Sequence, residues 1–376
     1  MNSEVGKQSA RFQFIDAAKT LAIYLVIFYH IGTAQKNIET ITPAFGSYFR
    51  YFVHGLSTIA VPLFLAINGY LVLNRNLVLK KHLVKTLRLY VLTLVWSLII
   101  VSSLIAIDGS RYSVAEFARA VFFLKQGENN HLWFLFVLTS IYLLLPAIKS
   151  IYDYPNKNVI LWTLLLIFVF SFGNLAANWL FNLWQVAHGH AIDIVEGKIK
   201  RYQPFDVQGV NPFSGYAWAW VYFLVGGLLG RQPQNGYKAI PTWGLCIGFF
   251  AAAFALFGYG LAMSEYLNGK IFDTTFDGYN SLPGLVMTMS TFLILHRIWT
   301  AKGPIAVLVA SIGANTLGIY LLHVIVLRFL NHEFHALAIC ESMPVIAVYA
   351  AAILFSSWLL TLLLRRVPVV GYLFRL

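Results

Sequence analysis

The chain has 376 residues, of which 59% are hydrophobic and only 11% are charged, a composition that excludes an ordinary water-soluble domain. The two cysteines, Cys246 and Cys340, exclude a disulfide scaffold, an iron–sulfur site and a multi-cysteine zinc site. The formal charge of +12 would suggest a nucleic-acid partner for a soluble protein. In a membrane protein it indicates instead which side of the bilayer is cytoplasmic, so we expect no nucleic-acid partner.

Ten stretches of mostly apolar residues are each about as long as a helix needs to be to cross a bilayer. They predict an all-α membrane protein, with residues 1–376 forming a single polytopic bundle. A shorter and more polar stretch, 113–124, predicts a helix lying at the membrane interface. The ten predicted spans are 14–34, 52–73, 86–107, 131–148, 159–177, 214–230, 240–262, 281–299, 305–330 and 344–364.

Ten spans put both termini on the same side of the membrane, and the charges indicate which side. With both termini in the cytoplasm, 16 of the 27 lysines and arginines lie in inner segments and nine in outer segments. This asymmetry follows the positive-inside rule. We therefore expect cytoplasmic termini.

The first predicted span carries three ionisable residues, Asp16, Lys19 and His30. Such groups are costly inside a membrane, so each is a functional candidate. Asp16 and Lys19 are helix neighbours that can pair. Lys19 and His30 are eleven residues apart, which on a helix means nearly the same face and a rise of about 16 Å. The structural alternative is that Asp16 and Lys19 reach the inner interface and His30 bonds a backbone carbonyl.

Further polar residues occur in later spans. Asn68 precedes Gly69 in the second span, His131 opens the fourth with Trp133 close behind, and His323 follows Tyr320 inside the ninth. A histidine at a span end is usually an interface residue, and Asn68 is compatible with ordinary packing around the glycine. His323 is the stronger candidate because it needs a buried partner or water.

The inner segment 74–88 concentrates five cations, including Lys85 and Arg88, which share a helix face. They are either anchors at the lipid headgroups or a clamp for the phosphates of a cytosolic ligand. The longest outer connection, about 178–213, contains His188, His190, Asp193 and Glu196. Their spacing matches no established ligand set, so we expect no metal there.

These motifs resemble the acyltransferase-3 family of integral membrane proteins, in the same order and over nearly the whole length. Lys19-x10-His30 resembles the family signature of a basic residue, ten residues and a histidine, within RFQFIDAAKTLAIYLVIFYH. VPLFLAINGYL resembles the second-span motif, with Asn68 in place of a serine, and Lys85-x-x-Arg88 resembles Arg-x-x-Arg. HLWFLFVLTSIYLLLP and TLGIYLLH resemble later motifs. Within the family, the sequence resembles the branch that O-acetylates enterobacterial common antigen.

The resemblance implies an O-acetyltransferase of the bacterial inner membrane. It would move an acetyl group from cytosolic acetyl-CoA to a hydroxyl of a glycan or lipid-linked saccharide at the outer face. The catalytic residues would be His30, Lys19 and Asp16, with His30 as general base or acyl carrier. The CoA phosphates would be held by Lys85, Arg88, Arg231 and Arg297. The acceptor side would be shaped by Asn68, His131, Trp133, Tyr320 and His323.

Two other classes fit the polar residues. A transporter or flippase for a lipid-linked sugar would also need intramembrane ions and a basic inner mouth. A membrane scaffold of a polysaccharide assembly complex would use the polar groups only to lock helices together. Direct attack by the acceptor and an acyl-histidine intermediate both remain open.

Overall fold

The computed structural model describes residues 13–31, 45–124, 129–206, 215–231, 240–267, 270–300, 302–335 and 342–374; Arg11 and Cys340 lie outside this part. Helices form nearly all of its regular structure, which confirms the predicted all-α membrane fold. The elements are α1 (Gln13–His30), α2 (Phe45–Gly55), α3 (Ala60–Val72), α4 (Leu79–Asp108), α5 (Val114–Val121), α6 (Trp133–Tyr152), α7 (Lys157–Phe168), α8 (Asn174–Ala187), β1 (Ile194–Val195), β2 (Lys198–Ile199), α9 (Trp218–Arg231), α10 (Thr242–Ser264), α11 (Leu282–Ile298), α12 (Gly303–Ala314), α13 (Thr316–Phe334) and α14 (Met343–Leu364).

Seven helical stretches among the described residues are long and apolar enough to cross a membrane. Two of them join two α-helices. α2 continues into α3 through the 3-10 turn Leu56–Ile59, and α7 continues into α8 through the π-helical turn Val169–Gly173. The count of ten spans and the cytoplasmic position of the termini stay predictions.

The prediction of one span over 305–330 is wrong, because two helices, α12 and α13, meet at Asn315. The Asn315 amide donates to the carbonyl of Ser311 at 2.7 Å, and its oxygen accepts from Arg365. A side chain that bonds locally to the backbone competes with helix continuation, so the polar residue ends the helix inside an apolar run.

The outer connection begins later than predicted, because residues 178–187 are helical rather than loop. Asn174 and Asn178 lie four residues apart on α8 and use their amides to bind the chain that follows. The Asn174 oxygen accepts from the backbone N–H of Phe205 at 2.9 Å, and the Asn178 oxygen accepts from that of Tyr202 at 2.7 Å. The asparagines therefore clamp a loop onto α8 instead of ending the helix.

The stretch 113–124, predicted to form an interfacial helix, does contain a helix, α5. A capping box starts it, because the Ser113 hydroxyl accepts from the Glu116 N–H while the Glu116 carboxylate accepts from the Ser113 N–H. Its position at the membrane interface stays a prediction.

α1 lies at the centre of the bundle and packs against α3, α11, α12, α13 and α14. Its Ala18, Ala22, Ile23 and Ile27 have no solvent exposure. Because α1 is surrounded by other helices, His30 at its end lies against a neighbouring helix and contacts His323 of α13.

α3 and α9 approach each other closely through glycines. A Cβ on Gly69 would lie 1.8 Å from the carbonyl oxygen of Phe223, and one on Gly226 would lie 2.0 Å from that of Ala66. Small residues let helix backbones approach in this way in membranes. The packing role proposed as the alternative for the segment around Gly69 is therefore present in the structure.

Candidate active site

Three histidines from three separate parts of the chain meet in the bundle. His30 is the last residue of α1, His131 lies in the 3-10 turn just before α6, and His323 is in α13. The ring centroids are 5.4 Å apart for His30 and His323, 5.4 Å for His131 and His323, and 6.1 Å for His30 and His131. The residues singled out in the first, fourth and ninth predicted spans thus form one cluster.

Tyr320 and His323 are held by hydrogen bonds inside this cluster. His323 Nδ1 lies 2.6 Å from the Tyr320 carbonyl oxygen, which can only accept, so Nδ1 carries the proton. His323 is fully buried, and its Nε2 has no hydrogen-bond partner. The Tyr320 hydroxyl donates to the His131 carbonyl and so joins α13 to the start of α6. The neutral His323 ring therefore presents a lone pair inside the bundle.

His30 is held only by ring contacts in the described part of the chain, with Tyr29, His131 and His323. Its two nitrogens make no hydrogen bond to any described residue. The adjacent Tyr29 is fixed, because its hydroxyl donates to Asp273 Oδ2 at 2.8 Å. His30 is therefore the member of the cluster whose nitrogens are open to a ligand.

A small cavity of about 30 Å³ lies beside the cluster, with room for about two waters. Four of the predicted site residues line it: His30, His131, Trp133 and Tyr320. Ser57 lines it as well, with a fully buried hydroxyl that has no hydrogen-bond partner. A buried hydroxyl normally finds a partner, so a donor facing this cavity is available to a ligand oxygen.

Aromatic rings close the other side of this cavity. Trp133 stacks on Tyr216 at 5.2 Å and contacts Trp218, Phe276 and Tyr279 at 6.0 to 6.3 Å between centroids. Burial, with the charge of Asp273 as the second cause, raises the pKa of Tyr279, which keeps its hydroxyl protonated. Aromatic faces with a protonated hydroxyl suit the apolar and polar faces of a sugar ring.

Sequence reasoning missed Ser57, Tyr29, Asp273 and His54. His54 lies at the end of α2, where its Nδ1 is 3.3 Å from the Thr275 hydroxyl and its ring is 5.4 Å from that of Tyr29. The sequence could have indicated Tyr29, because it is next to His30, and His54, because it is a histidine at the edge of a predicted span. Nothing in the sequence around Ser57 or Asp273 indicates their position.

Asp16 and Lys19 lie on α1 but do not line the histidine cavity. Asp16 is buried, and a Cβ on Gly313 would lie 2.8 Å from its atoms. Lys19 is half-buried about 16 Å along the helix from His30 by helix rise. The pairing of Asp16 with Lys19 and their catalytic roles stay predictions.

Asn68 is likewise outside the cavity lining and is tied to α6. Its oxygen accepts from the Tyr142 hydroxyl at 3.0 Å, and its amide donates to the Phe64 carbonyl at 2.8 Å. The Lys85 ammonium lies 6.0 Å from the centroid of the same Tyr142 ring. Tyr142 thus connects the predicted donor-binding cation to Asn68.

The four predicted phosphate-binding cations have different surroundings. Arg88 donates to the Tyr372 carbonyl at 3.3 Å and Lys85 is exposed beside Tyr142. Arg231 stacks on Tyr152 at 3.5 Å and pairs with Asp153 at 3.3 Å. Arg297 donates to the Ile240 carbonyl, and its Nε and Nη2 are buried without partners.

Those unpartnered groups on Arg297 would suit a bound anion, whereas Arg231 already pairs with the Asp153 carboxylate.

In the part of the chain that the structure describes, no group of three or more His, Cys, Asp and Glu side chains is placed to hold a metal ion.

A family model described as an acyltransferase domain, that of the acyltransferase-3 family, matches residues 12–362. No curated protein and no solved structure matches the chain.

Proposed function

Because the chain belongs to the acyltransferase-3 family, we propose that it is a membrane O-acetyltransferase. It takes acetyl from cytosolic acetyl-CoA and passes it to a hydroxyl of a glycan or lipid-linked saccharide at the outer face. The observation that supports this most is the open His30 ring, which shares a small cavity with the unpartnered Ser57 hydroxyl. A base and an oxyanion donor in one enclosed space are the groups that acyl transfer requires.

In the direct route, His30 removes the proton from the acceptor hydroxyl while its oxygen attacks the thioester carbonyl carbon. The former carbonyl oxygen becomes an oxyanion, to which Ser57 donates. Collapse restores the C=O bond and breaks the C–S bond, and the imidazolium returns its proton to the CoA sulfur.

In the alternative route, a His30 nitrogen attacks the thioester carbonyl carbon, the C–S bond breaks, and CoA leaves as the thiol with the imidazole proton, which leaves an acyl-imidazole. The acceptor hydroxyl oxygen then attacks the acetyl carbon, the C–N bond breaks, and the hydroxyl proton passes to His30. Acetyl label recovered on His30 would identify this route.

His323 supports His30 in this proposal. Its Nδ1 proton is committed to the Tyr320 carbonyl, so its Nε2 can only accept. An N–H of His30 pointing at that lone pair would leave the other His30 nitrogen as the base. The centroid distance of 5.4 Å is longer than such a bond needs, but catalytic hydrogen bonds commonly tighten when substrate is bound.

The donor side of the proposal rests on the cations predicted to lie on the cytoplasmic side. Lys85, Arg88 and Arg297 would hold the CoA phosphates by charge-assisted hydrogen bonds. Lys19 and Asp16 would line the path of the pantetheine arm toward His30.

The acceptor side rests on the aromatic rings around Trp133. The resemblance to the branch that modifies enterobacterial common antigen makes a bacterial surface polysaccharide or its lipid-linked precursor the acceptor we expect. In this proposal the protein acts in a bacterial inner membrane.

The test is acetyl transfer by the purified full-length protein in liposomes. With radiolabelled acetyl-CoA on one side and a lipid-linked saccharide fraction on the other, label should enter the saccharide and free CoA should appear in equal amount. Movement of saccharide across the bilayer without use of acetyl-CoA would overturn the proposal in favour of a transporter. Absence of both activities would favour a scaffold.

A further inference from the structure

A second and larger cavity, of about 570 Å³, lies between α8, the β1–β2 hairpin, the end of α10 and residues 270–277. We call it the outer cavity because its walls come from segments predicted to lie outside the cytoplasm. Ligand sites for small molecules commonly have 300 to 1,000 Å³. The outer cavity is thus about the size of a mono- or disaccharide site.

Aromatic residues form one wall of the outer cavity. Trp179 of α8 stacks on Tyr259 of α10 with ring centroids 3.8 Å apart and planes 9° from parallel. The Tyr259 hydroxyl accepts from the Asn182 amide at 3.0 Å. The two helices are therefore joined at this wall by both stacking and a hydrogen bond.

Residues 196–201 also line the outer cavity, and the chain that follows them is tied to α8. The Asn174 and Asn178 side chains bind the backbone of Phe205 and Tyr202, and Asn174 also donates to Asp206 at 2.9 Å. Arg201 pairs with Asp277 across the cavity at 2.5 Å. The lining segment is therefore held in place by hydrogen bonds just beyond it and by the Arg201–Asp277 ion pair.

The charges in the cavity favour an anionic ligand. Lys198 and Lys270 line it and make no hydrogen bond or ion pair to any residue in the described part of the chain. Arg201 is matched by Asp277, and burial raises the pKa of the Asp277 carboxyl. Lys198 also acts on the Asp277 carboxyl, and Lys200 pairs with Asp193, so, among the described residues, Lys198 and Lys270 are the two lining ammonium groups without a close ion pair. They lie in the same cavity as the carboxylates of Glu196 and Asp273.

The outer cavity adjoins the histidine cavity. Phe276 lines both of them, and Asp273, which lines the outer cavity, accepts the hydrogen bond of Tyr29, which lines the histidine cavity. A ligand held in the outer cavity therefore lies one aromatic side chain away from the space beside His30.

We propose that the outer cavity binds an acidic saccharide, with its carboxylate or phosphate at Lys198 and Lys270 and a sugar ring near Trp179. This inference rests on the proposed function in treating the ligand as the acetyl acceptor. Carboxylate and phosphate groups both form charge-assisted hydrogen bonds with ammonium groups, and sugar rings pack on aromatic faces.

Binding to the purified full-length protein tests this without any acetyl donor. The probes are a disaccharide containing glucuronic acid, glucose 1-phosphate and neutral maltose, titrated with intrinsic tryptophan fluorescence as the readout. At least one acidic probe should bind about tenfold more tightly than maltose, with an affinity that falls as salt is added. Binding of the uronic acid alone would identify a carboxylate site and binding of the sugar phosphate alone a phosphate site.

The double variant Lys198→Gln with Lys270→Gln should lose this preference, while Lys157→Gln, an exposed lysine on α7, should keep it. Equal affinity for acidic and neutral probes, or no binding of any of them, would overturn the inference. Unchanged preference in the double variant would do the same. His30→Ala should bind the acidic probe normally while it loses acetyl transfer. The two proposals fail separately, because binding of the acidic probe by the unchanged protein without any acetyl transfer would overturn the acetyl-transfer proposal alone.

Discussion

The histidine cluster and the inner cations differ in how their side chains are arranged. His30, His131 and His323 come from distant parts of the chain and meet within about 6 Å, whereas Lys85, Arg88, Arg231 and Arg297 each have their own surroundings. An ionisable group inside a membrane needs a partner or a cavity, so its position is strongly constrained. A cation at the membrane surface is hydrated, so its position says little about function.

The largest effect that would sharpen this comparison is expected at His30. His30→Ala should lower kcat by about 10²–10⁴-fold, because general-base catalysis is lost. His188→Ala, at a loop histidine, is the matched control and should retain activity. Initial rates of acetyl transfer in liposomes measure both, with the yield of membrane-inserted protein compared as a check on folding. Normal rates for His30→Ala would show that His30 is not the general base, and the histidine cluster would then have no stronger claim to function than the inner cations.

Ser57→Ala should have the next largest effect, lowering kcat by about 10²-fold through the loss of one oxyanion donor. KM should change little, because the hydroxyl acts on charge that develops only in the transition state. Steady-state kinetics measure the split, with Ser140→Ala as a control at an exposed serine that bonds its own helix. A rise in KM at unchanged kcat would make Ser57 a binding residue rather than a catalytic one.

At the inner end, Lys85→Gln combined with Arg88→Gln should raise KM for acetyl-CoA about tenfold, because charge-assisted contacts to phosphate are lost. kcat at saturating donor should stay near the unchanged value. Lys80→Gln combined with Lys81→Gln removes the same charge from the same segment and is the matched control. An equal rise in KM for both double variants would mean that only the total charge of this segment attracts acetyl-CoA, and that Lys85 and Arg88 make no specific contact with its phosphates.

The smallest effect is expected at Tyr142, which contacts both Lys85 and Asn68. Tyr142→Phe removes the hydrogen bond to Asn68 and should lower the free energy of unfolding by about 1 kcal/mol. kcat should stay unchanged if Asn68 only holds α3 to α6. Denaturation in detergent and acetyl-transfer rates measure the two quantities. A fall in kcat as large as that for Ser57→Ala would assign Asn68 to the chemistry.

Much of the fold follows from the apolar runs, since backbone groups in lipid must be satisfied within a helix. The break at Asn315 was missed because a single polar residue in a long apolar run does not reveal whether its side chain faces solvent or its own backbone. The extension of α8 to Ala187 was missed for a related reason. Its asparagines belong to a helix face that binds the following loop, a partnership that helix propensity does not reveal.

The site divides in the same way. His30 and His323 could be found because a histidine in a membrane is rare and costly. Ser57 could not be found, because serine is common in membrane helices and its lack of a partner is a three-dimensional property. Asp273 lies in a loop some 240 residues from Tyr29 and accepts a hydrogen bond from the Tyr29 hydroxyl. Only the fold brings the two residues together.

The most direct measurement is a cryo-electron microscopy map of the full-length protein with acetyl-CoA bound. The account predicts phosphates beside Lys85 and Arg88 and a thioester carbonyl in the cavity between His30 and Ser57. A thioester that ends elsewhere in the protein, with the histidine cavity unchanged, would contradict it.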